Sequence, residues 1–300
     1  MVAVIPVSVD QDLKITPQTP PLNAKLQVVF TELLAALKAG QLEMPVLPDM
    51  AMKVKQLLEN PKSSVDQFVK LLSTDPEITL YLISATNNTT LFNECPAGNL
   101  HDAITRLGYR MLYGIVLNIT LPKLFQAQST LIHGALKELW KRSRIVAANS
   151  YVLAQQEKHL KPENAMLAGL VYEIGALPLY LYADRYHPEI EPESLEILIS
   201  TFSAPIGFGL LQNWNFPEEL IDVVTNQLDL RHIPQTEQAD YADVVTLANF
   251  LMRRTMIKVD LPAAERLGYD TAKCTNFFVN NVEIIAAIND ILGVGPLQDN

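Results

Sequence analysis

Tyr172 and Glu173 stand side by side in the middle of an apolar run, AMLAGLVYEIGALPLY, residues 165–180. The run reads as one core helix, so a polar pair at its centre marks a place where chemistry could sit. Carboxylate and neutral imidazole hold divalent cations, whereas a phenol with a pKa near ~10 is a poor ligand. Glu173 offers a ligand there and Tyr172 does not. A literal His-Asp dipeptide occurs elsewhere, at His101-Asp102. It follows Asn99, and a helix dipole favours an acid in the first turn, so Asp102 is read as structural. His133, His159, His187 and His232 are far apart and lack the His-x-x-x-His spacing that puts two ligands on one helix face. Each is read as surface or loop.

Other chemistry is thin. No GxSxG or Cys-His signature sets a nucleophile against a base, and no GxGxxG or P-loop run cradles a phosphate. Cys95 and Cys274 form no CxxC pattern, so the paired spacing of a structural zinc site is absent. Asp184 and Glu189, beside Tyr186-His187-Pro188, read as a solvated loop. Met44, Met50, Met52 and Met111 either line an adaptable apolar groove between subdomains or fill the core.

The elements that would position these residues are helices. Pro6, Pro17, Pro20 and Pro21 make residues 1–22 an extended or mobile lead-in. Leu26, Val29, Phe30, Leu33, Leu34 and Leu37 then form one helical face, closed by Gly40. Ser64 with Gln67 fits a capping box. Asp75-Pro76-Glu77 sets a cap, a first-turn proline and a first-turn acid in order. Asn99 caps another helix, which ends at Leu107-Gly108, and a new one runs to about Phe125. A long amphipathic helix is expected over 131–158, and further helices near 163–182, 193–213, 217–229, 240–256 and 274–292. No alternating strand is found. The expected fold is all-α, with an N-terminal helical subdomain over 23–126 packed on a second one over 130–300.

Composition narrows the partners. The chain has 300 residues, 49% of them apolar and 19% charged, which is ordinary for a folded protein. Its formal charge of −10 repels phosphate backbones, so nucleic acid is not an expected partner. The N-terminus lacks the basic region and apolar core of a signal peptide. No run of about 18 apolar residues is seen, so no membrane span is expected. Two scattered cysteines fit a reduced, cytoplasmic setting.

Residues 44–120 resemble the first half of the HDOD family, bacterial signal-output relatives of the HD metal-dependent phosphohydrolases. The matching pieces are residues 44–88 and NLHDAITRLGYRMLYGIVL, residues 99–117. The family's Asp-Pro falls on Asp75-Pro76, its following Asn on Asn87, and its Ala-Ile-x-x-Leu-Gly on Ala103 to Gly108. Residues 130–228, including LLQNWNFPEEL at 210–220, look like the second half. The resemblance implies a multi-helical HD-like domain.

An active HD site holds its metals with a His, a His-Asp pair and a later Asp. Carried over by resemblance, the first His falls on Arg142, the His-Asp pair on Tyr172-Glu173, a later His near Gln227 and the last Asp near Asn249. A guanidinium is permanently cationic and cannot ligate a cation. The resemblance with these replacements implies a degenerate site without metal or cofactor, and a non-catalytic signalling module. Its partner would be a protein, or a small anionic ligand near Arg142. Arg142 and Glu173 are expected to face each other as an ion pair or to point to solvent. The scaffold alone would also allow a metal-dependent phosphohydrolase with a rearranged site.

Overall fold

The computed structural model describes residues 3–4, 24–87, 89–92, 97–226, 229–230, 232–234, 236, 238–253 and 261–294. Among them the chain is helical throughout. Helix α1 covers Ala24–Lys38, α2 Asp49–Glu59, α3 Val65–Leu72, α4 Pro76–Ala85 and α5 Thr89–Phe92. Then come α6 at Leu100–Thr120, a 3-10 turn at Leu121–Leu124, α7 at Thr130–Ala154, α8 at Pro162–Val171 and α9 at Ala176–Tyr186. The series closes with α10 (Pro192–Asn213), α11 (Glu218–Asn226), α12 (Tyr241–Met252), α13 (Pro262–Arg266), α14 (Thr271–Asn280) and α15 (Val282–Ile291). The all-α expectation holds, with one small exception. Strand β1, Ala3–Val4, pairs antiparallel with β2, Glu43–Met44, with Ala3 opposite Met44. Two residues are too short for alternation to show in the sequence. The rest of the 1–22 lead-in lies outside the described residues.

The structure divides into two compact units that interleave along the chain. Unit 1 takes Met1–Val46, Leu124–Leu139 and Val171–Asp229; unit 2 takes Leu47–Lys123, Trp140–Leu170 and Leu230–Asn300. Helix α7 is unbroken and has residues in both units.

Local signals explain most helix starts. Asp75 accepts a hydrogen bond from the Ile78 N–H at 3.1 Å, and Pro76 opens α4 behind it. The Ser64 N–H donates to the Gln67 side chain at 2.9 Å, one arm of the capping box that starts α3. Asn99 accepts from the Asp102 N–H at 2.9 Å, which confirms Asp102 as a first-turn residue of α6. Gly108 interrupts α6 with φ 70° and ψ 159°, a conformation that any side chain would strain.

In unit 1, α9 and α11 pack on α10. The Phe30 and Phe202 rings meet with centroids 4.9 Å apart. Trp214, at the end of α10, is buried, and its indole N–H donates to the Pro45 carbonyl at 3.2 Å. Asp184 corrects the sequence reading. It sits inside α9, and its carboxylate accepts from the backbone N–H groups of Gln128 and Ser129, both at 2.8 Å. A charge there caps the start of α7. Replacing Asp184 by alanine is expected to cost about 1–2 kcal/mol in urea unfolding, and an unchanged midpoint would remove this role.

In unit 2, α2, α3 and α4 pack on α6. Phe68, Leu72, Ile78, Leu82, Ile104 and Leu112 have no exposed surface, and each such side chain stabilises by about 1.5–3 kcal/mol. Helix α15 is held by its last turn. The Tyr81 hydroxyl donates to the Ile291 carbonyl at 2.7 Å, and the Asn118 side chain donates to the Leu292 carbonyl at 3.1 Å. Arg144 Nη1 donates to the carbonyls of Leu292 and Gly293, at 3.1 and 2.8 Å. Gly293 adopts φ 66°, and the Val294 N–H returns to the Asn289 carbonyl at 2.8 Å. This is the glycine-dependent stop that ends many helices.

Several boundaries differ from expectation. The 274–292 segment is two helices, α14 and α15, parted at Asn281, whose side chain donates to the Phe277 carbonyl at 2.8 Å. Helix α7 stops at Ala154, short of 158, and α13 carries no sequence signal strong enough to predict it. Met44 and Met111 are core residues and Met52 is exposed. Two helical stretches, Pro162–Tyr186 and Pro192–Asn213, are long and apolar enough to cross a membrane, where none was expected. Their apolar windows are 83% and 50% buried within the structure, as core helices are.

Candidate functional site

The Tyr172–Glu173 pair is not in the middle of a helix. The apolar run breaks into α8 and α9, and residues 172–175 form the turn between them. Backbone bonds there span three residues: Ile174 N–H to Val171 at 3.0 Å, Ala176 N–H to Glu173 at 2.9 Å and Leu177 N–H to Ile174 at 3.1 Å. Such bonds tighten a helix into a 3-10 turn. The reason lies next door. A Cβ built on Gly175 would come within 1.9 Å of the Ser203 carbonyl oxygen and 2.5 Å of the Gly207 nitrogen. Two glycines let the backbones of this turn and of α10 touch. The Ile174-Gly175 pair is therefore a packing feature of unit 1. Tyr172 beside it is fully buried, and Glu173 is half-buried.

The other carried-over positions are distributed differently. Arg142 is half-buried on α7, within unit 2, and Asn249 is half-buried on α12, also within unit 2. Asn249 accepts a hydrogen bond from Arg253 Nε at 3.4 Å. Gln227 lies outside the described residues, as does Cys95. Cys274 is half-buried, and burial raises its thiol pKa. His101 lies 4.0 Å from both Asp66 and Asp102, an exposed and loose arrangement.

One group of metal-ligating types does come together, and the sequence reading missed it. Possible ligand atoms of His232, Asp240 and Asp243 all lie within 4.8 Å of one another. His232 Nε2 sits 2.8 Å from Asp240 Oδ2. The other oxygen of Asp240 caps α12 by accepting from the Asp243 N–H at 2.9 Å. Both Asp243 oxygens accept from Arg266, Oδ2 from Nε at 2.7 Å and Oδ1 from Nη2, and Arg266 Nη2 also donates to the His232 carbonyl at 2.8 Å. The hydrogen bonds to Asp243 raise the Arg266 pKa further. Asp243 has no exposed side-chain surface. The guanidinium fork fills the side of Asp243 that a cation would need, and fork-to-carboxylate pairing is strong and directional. The arrangement reads as an ion-pair network that ties α13 to α12. No local spacing announces it, because the residues come from a loop, a cap, the first turn of α12 and α13.

The fold and the sequence order of its helices define an HD-like, all-helical domain. The HDOD domain family matches residues 44–230, and the chain belongs to that family. Solved structures agree on the fold. A protein of Shewanella amazonensis SB2B, provisionally named a metal-dependent phosphohydrolase, is 24% identical with a TM-score of 0.71, covering 89% of this chain and all of its own. An HDOD domain protein of unknown function from Geobacter sulfurreducens is 20% identical with a TM-score of 0.65, covering 89% of this chain and 98% of its own. A protein of Marinobacter aquaeolei VT8, provisionally named a signal transduction protein, is 18% identical with a TM-score of 0.62, over 94% of this chain and 68% of its own. An uncharacterized protein of Treponema pallidum (strain Nichols) is 23% identical over 256 residues, 82% of this chain. The chain spans about half the length of that curated relative, 49%.

Proposed function

We propose that this chain is a non-catalytic regulatory module of the HDOD family, acting in the cytoplasm by binding a protein partner or a small ligand. What supports the reading is the set of side chains at the positions that the family resemblance matches to the metal ligands of HD enzymes. By that resemblance the first imidazole is replaced by Arg142, a fixed positive charge, and the second by Tyr172, a buried phenol. Glu173 is the one acid left at the better-matched positions. A fixed cation and a phenol do not fit a divalent cation.

A second reading, a phosphohydrolase with a rearranged site, has one observation in its favour: the proximity of His232, Asp240 and Asp243. The Arg266 fork on Asp243 weighs against it. Metal analysis and a phosphodiesterase assay separate the two. Protein purified and then offered Mn, Fe or Zn is expected to hold less than one equivalent after desalting, and to leave bis-p-nitrophenyl phosphate intact. Stoichiometric metal together with turnover that Asp240→Asn abolishes would establish the second reading and end the first.

A further inference from the structure

An open groove of about 350 Å3 lies within unit 2. Tyr81, Ser84, Ala85 and Asn87 from the end of α4 form one side, and Asp290 and Ile291 from the last turn of α15 form the other. Its size is at the lower end of small-ligand sites. We propose that this groove receives a single organic cation, a guanidinium or ammonium group, presented by a basic side chain of a partner protein or by a free small molecule.

Charge is the first ground. Among the described residues of the wall, Asp290 is the formally charged one, and it is exposed. Helix α4 also ends there, at Ala85, and a helix C-terminus carries roughly half a negative charge. Both sources favour a cation and repel an anion. Arg144 is a competing positive charge, seated on the end of α15, whose C-terminal charge it offsets. It is not in the wall, and its Nη1 is engaged with the carbonyls of Leu292 and Gly293.

The second ground is that the wall is fixed in place and still offers an aromatic ring and one amide. The Tyr81 hydroxyl is tied to the Ile291 carbonyl at 2.7 Å, which locks an aromatic ring beside Asp290. Aromatic rings attract cations through the negative charge of their faces. Asn87 adds an amide. Of the motif residues, Asp75 and Pro76 start α4 and Gly108 kinks α6, but the Asn87 side chain is exposed and bonds to no described residue. It is left to face a ligand.

The groove shares no residue with the positions that carry the proposed function, so hydrolytic activity would leave it standing. Calorimetric titration of the full chain with acetyl-arginine amide tests it, with acetyl-citrulline amide as the uncharged control. The arginine probe is expected to bind and the citrulline probe to fail. Asp290→Asn is expected to weaken binding about tenfold, the order of one charge-assisted hydrogen bond. Asp290→Lys is expected to abolish it, with thermal melts confirming that both variants fold. Tighter binding of an arginine-bearing peptide than of agmatine would point to a protein source, and the reverse to a small molecule. Absence of saturable binding by every cationic probe, or binding indifferent to both Asp290 variants, would overturn the proposal.

Discussion

Gly175→Ala is expected to destabilise unit 1 by about 3 kcal/mol or more, the upper range for overpacking. The added methyl would lie 1.9 Å from the Ser203 carbonyl oxygen and within 2.8 Å of two Gly207 backbone atoms. Backbone atoms of a 22-residue helix cannot swing aside as a side-chain tip can. Relief requires α10 to move away from the 172–175 turn, which loosens the packing of α9 and α11 on α10. Gly207→Ala provides the comparison. Its Cβ would meet a side-chain methyl carbon, Val224 Cγ1, at 2.4 Å, and a smaller loss is expected because the Val224 side chain can turn about its Cα–Cβ bond. Denaturant unfolding of both variants measures the difference. Equal, small losses at the two glycines would mean that the helices slide easily, and the close approach would then not be what shapes the turn.

Arg266→Ala is expected to cost about 3–5 kcal/mol, the price of leaving a buried carboxylate without its partner. Asp243 has no exposed side-chain surface, and the Arg266 fork donates to both of its oxygens. The same guanidinium holds the His232 carbonyl, so the loop ahead of α12 would loosen with α13. Replacing both partners by apolar residues, Asp243→Leu with Arg266→Met, is expected to recover most of the loss, because no charge is then stranded. A double variant as unstable as Arg266→Ala would show that the pair is not the source. If instead Arg266→Ala stayed folded and gained affinity for zinc, the network would be a masked metal site.

What the sequence disclosed and what it hid divide by distance along the chain. Asp75, Ser64 with Gln67, and Asn99 were legible because each helix cap is made within three residues. Gly108 was legible as a break because glycine so often marks one. The turn at Tyr172–Gly175 was hidden inside an unbroken apolar run, since its cause is a contact with Gly207 on another helix. Asp184 read as loop because its neighbours are polar, yet its partners are the amides of Gln128 and Ser129, 56 and 55 residues away. His232 escapes the spacing rule for paired histidines on one helix. Its neighbours are instead Asp240, eight residues on, and Arg266. The carried-over positions came from family resemblance, and periodicity alone would have offered only Tyr172 and Glu173.

The bond from Tyr81 to Ile291 crosses 210 residues of sequence. Closing so wide a loop is slow, because ordering entropy is lost before the contact gives anything back. During synthesis the delay is longer still. At ribosomal rates of about 5–20 residues per second, roughly 10–40 s separate the emergence of the two partners. Through that interval Tyr81, and then Asn118 and Arg144 as they emerge, wait unengaged, while the remaining segments of unit 1, Leu124–Leu139 and Val171–Asp229, are being made. The nascent chain thus passes through a stage in which the first unit can be complete and the second cannot.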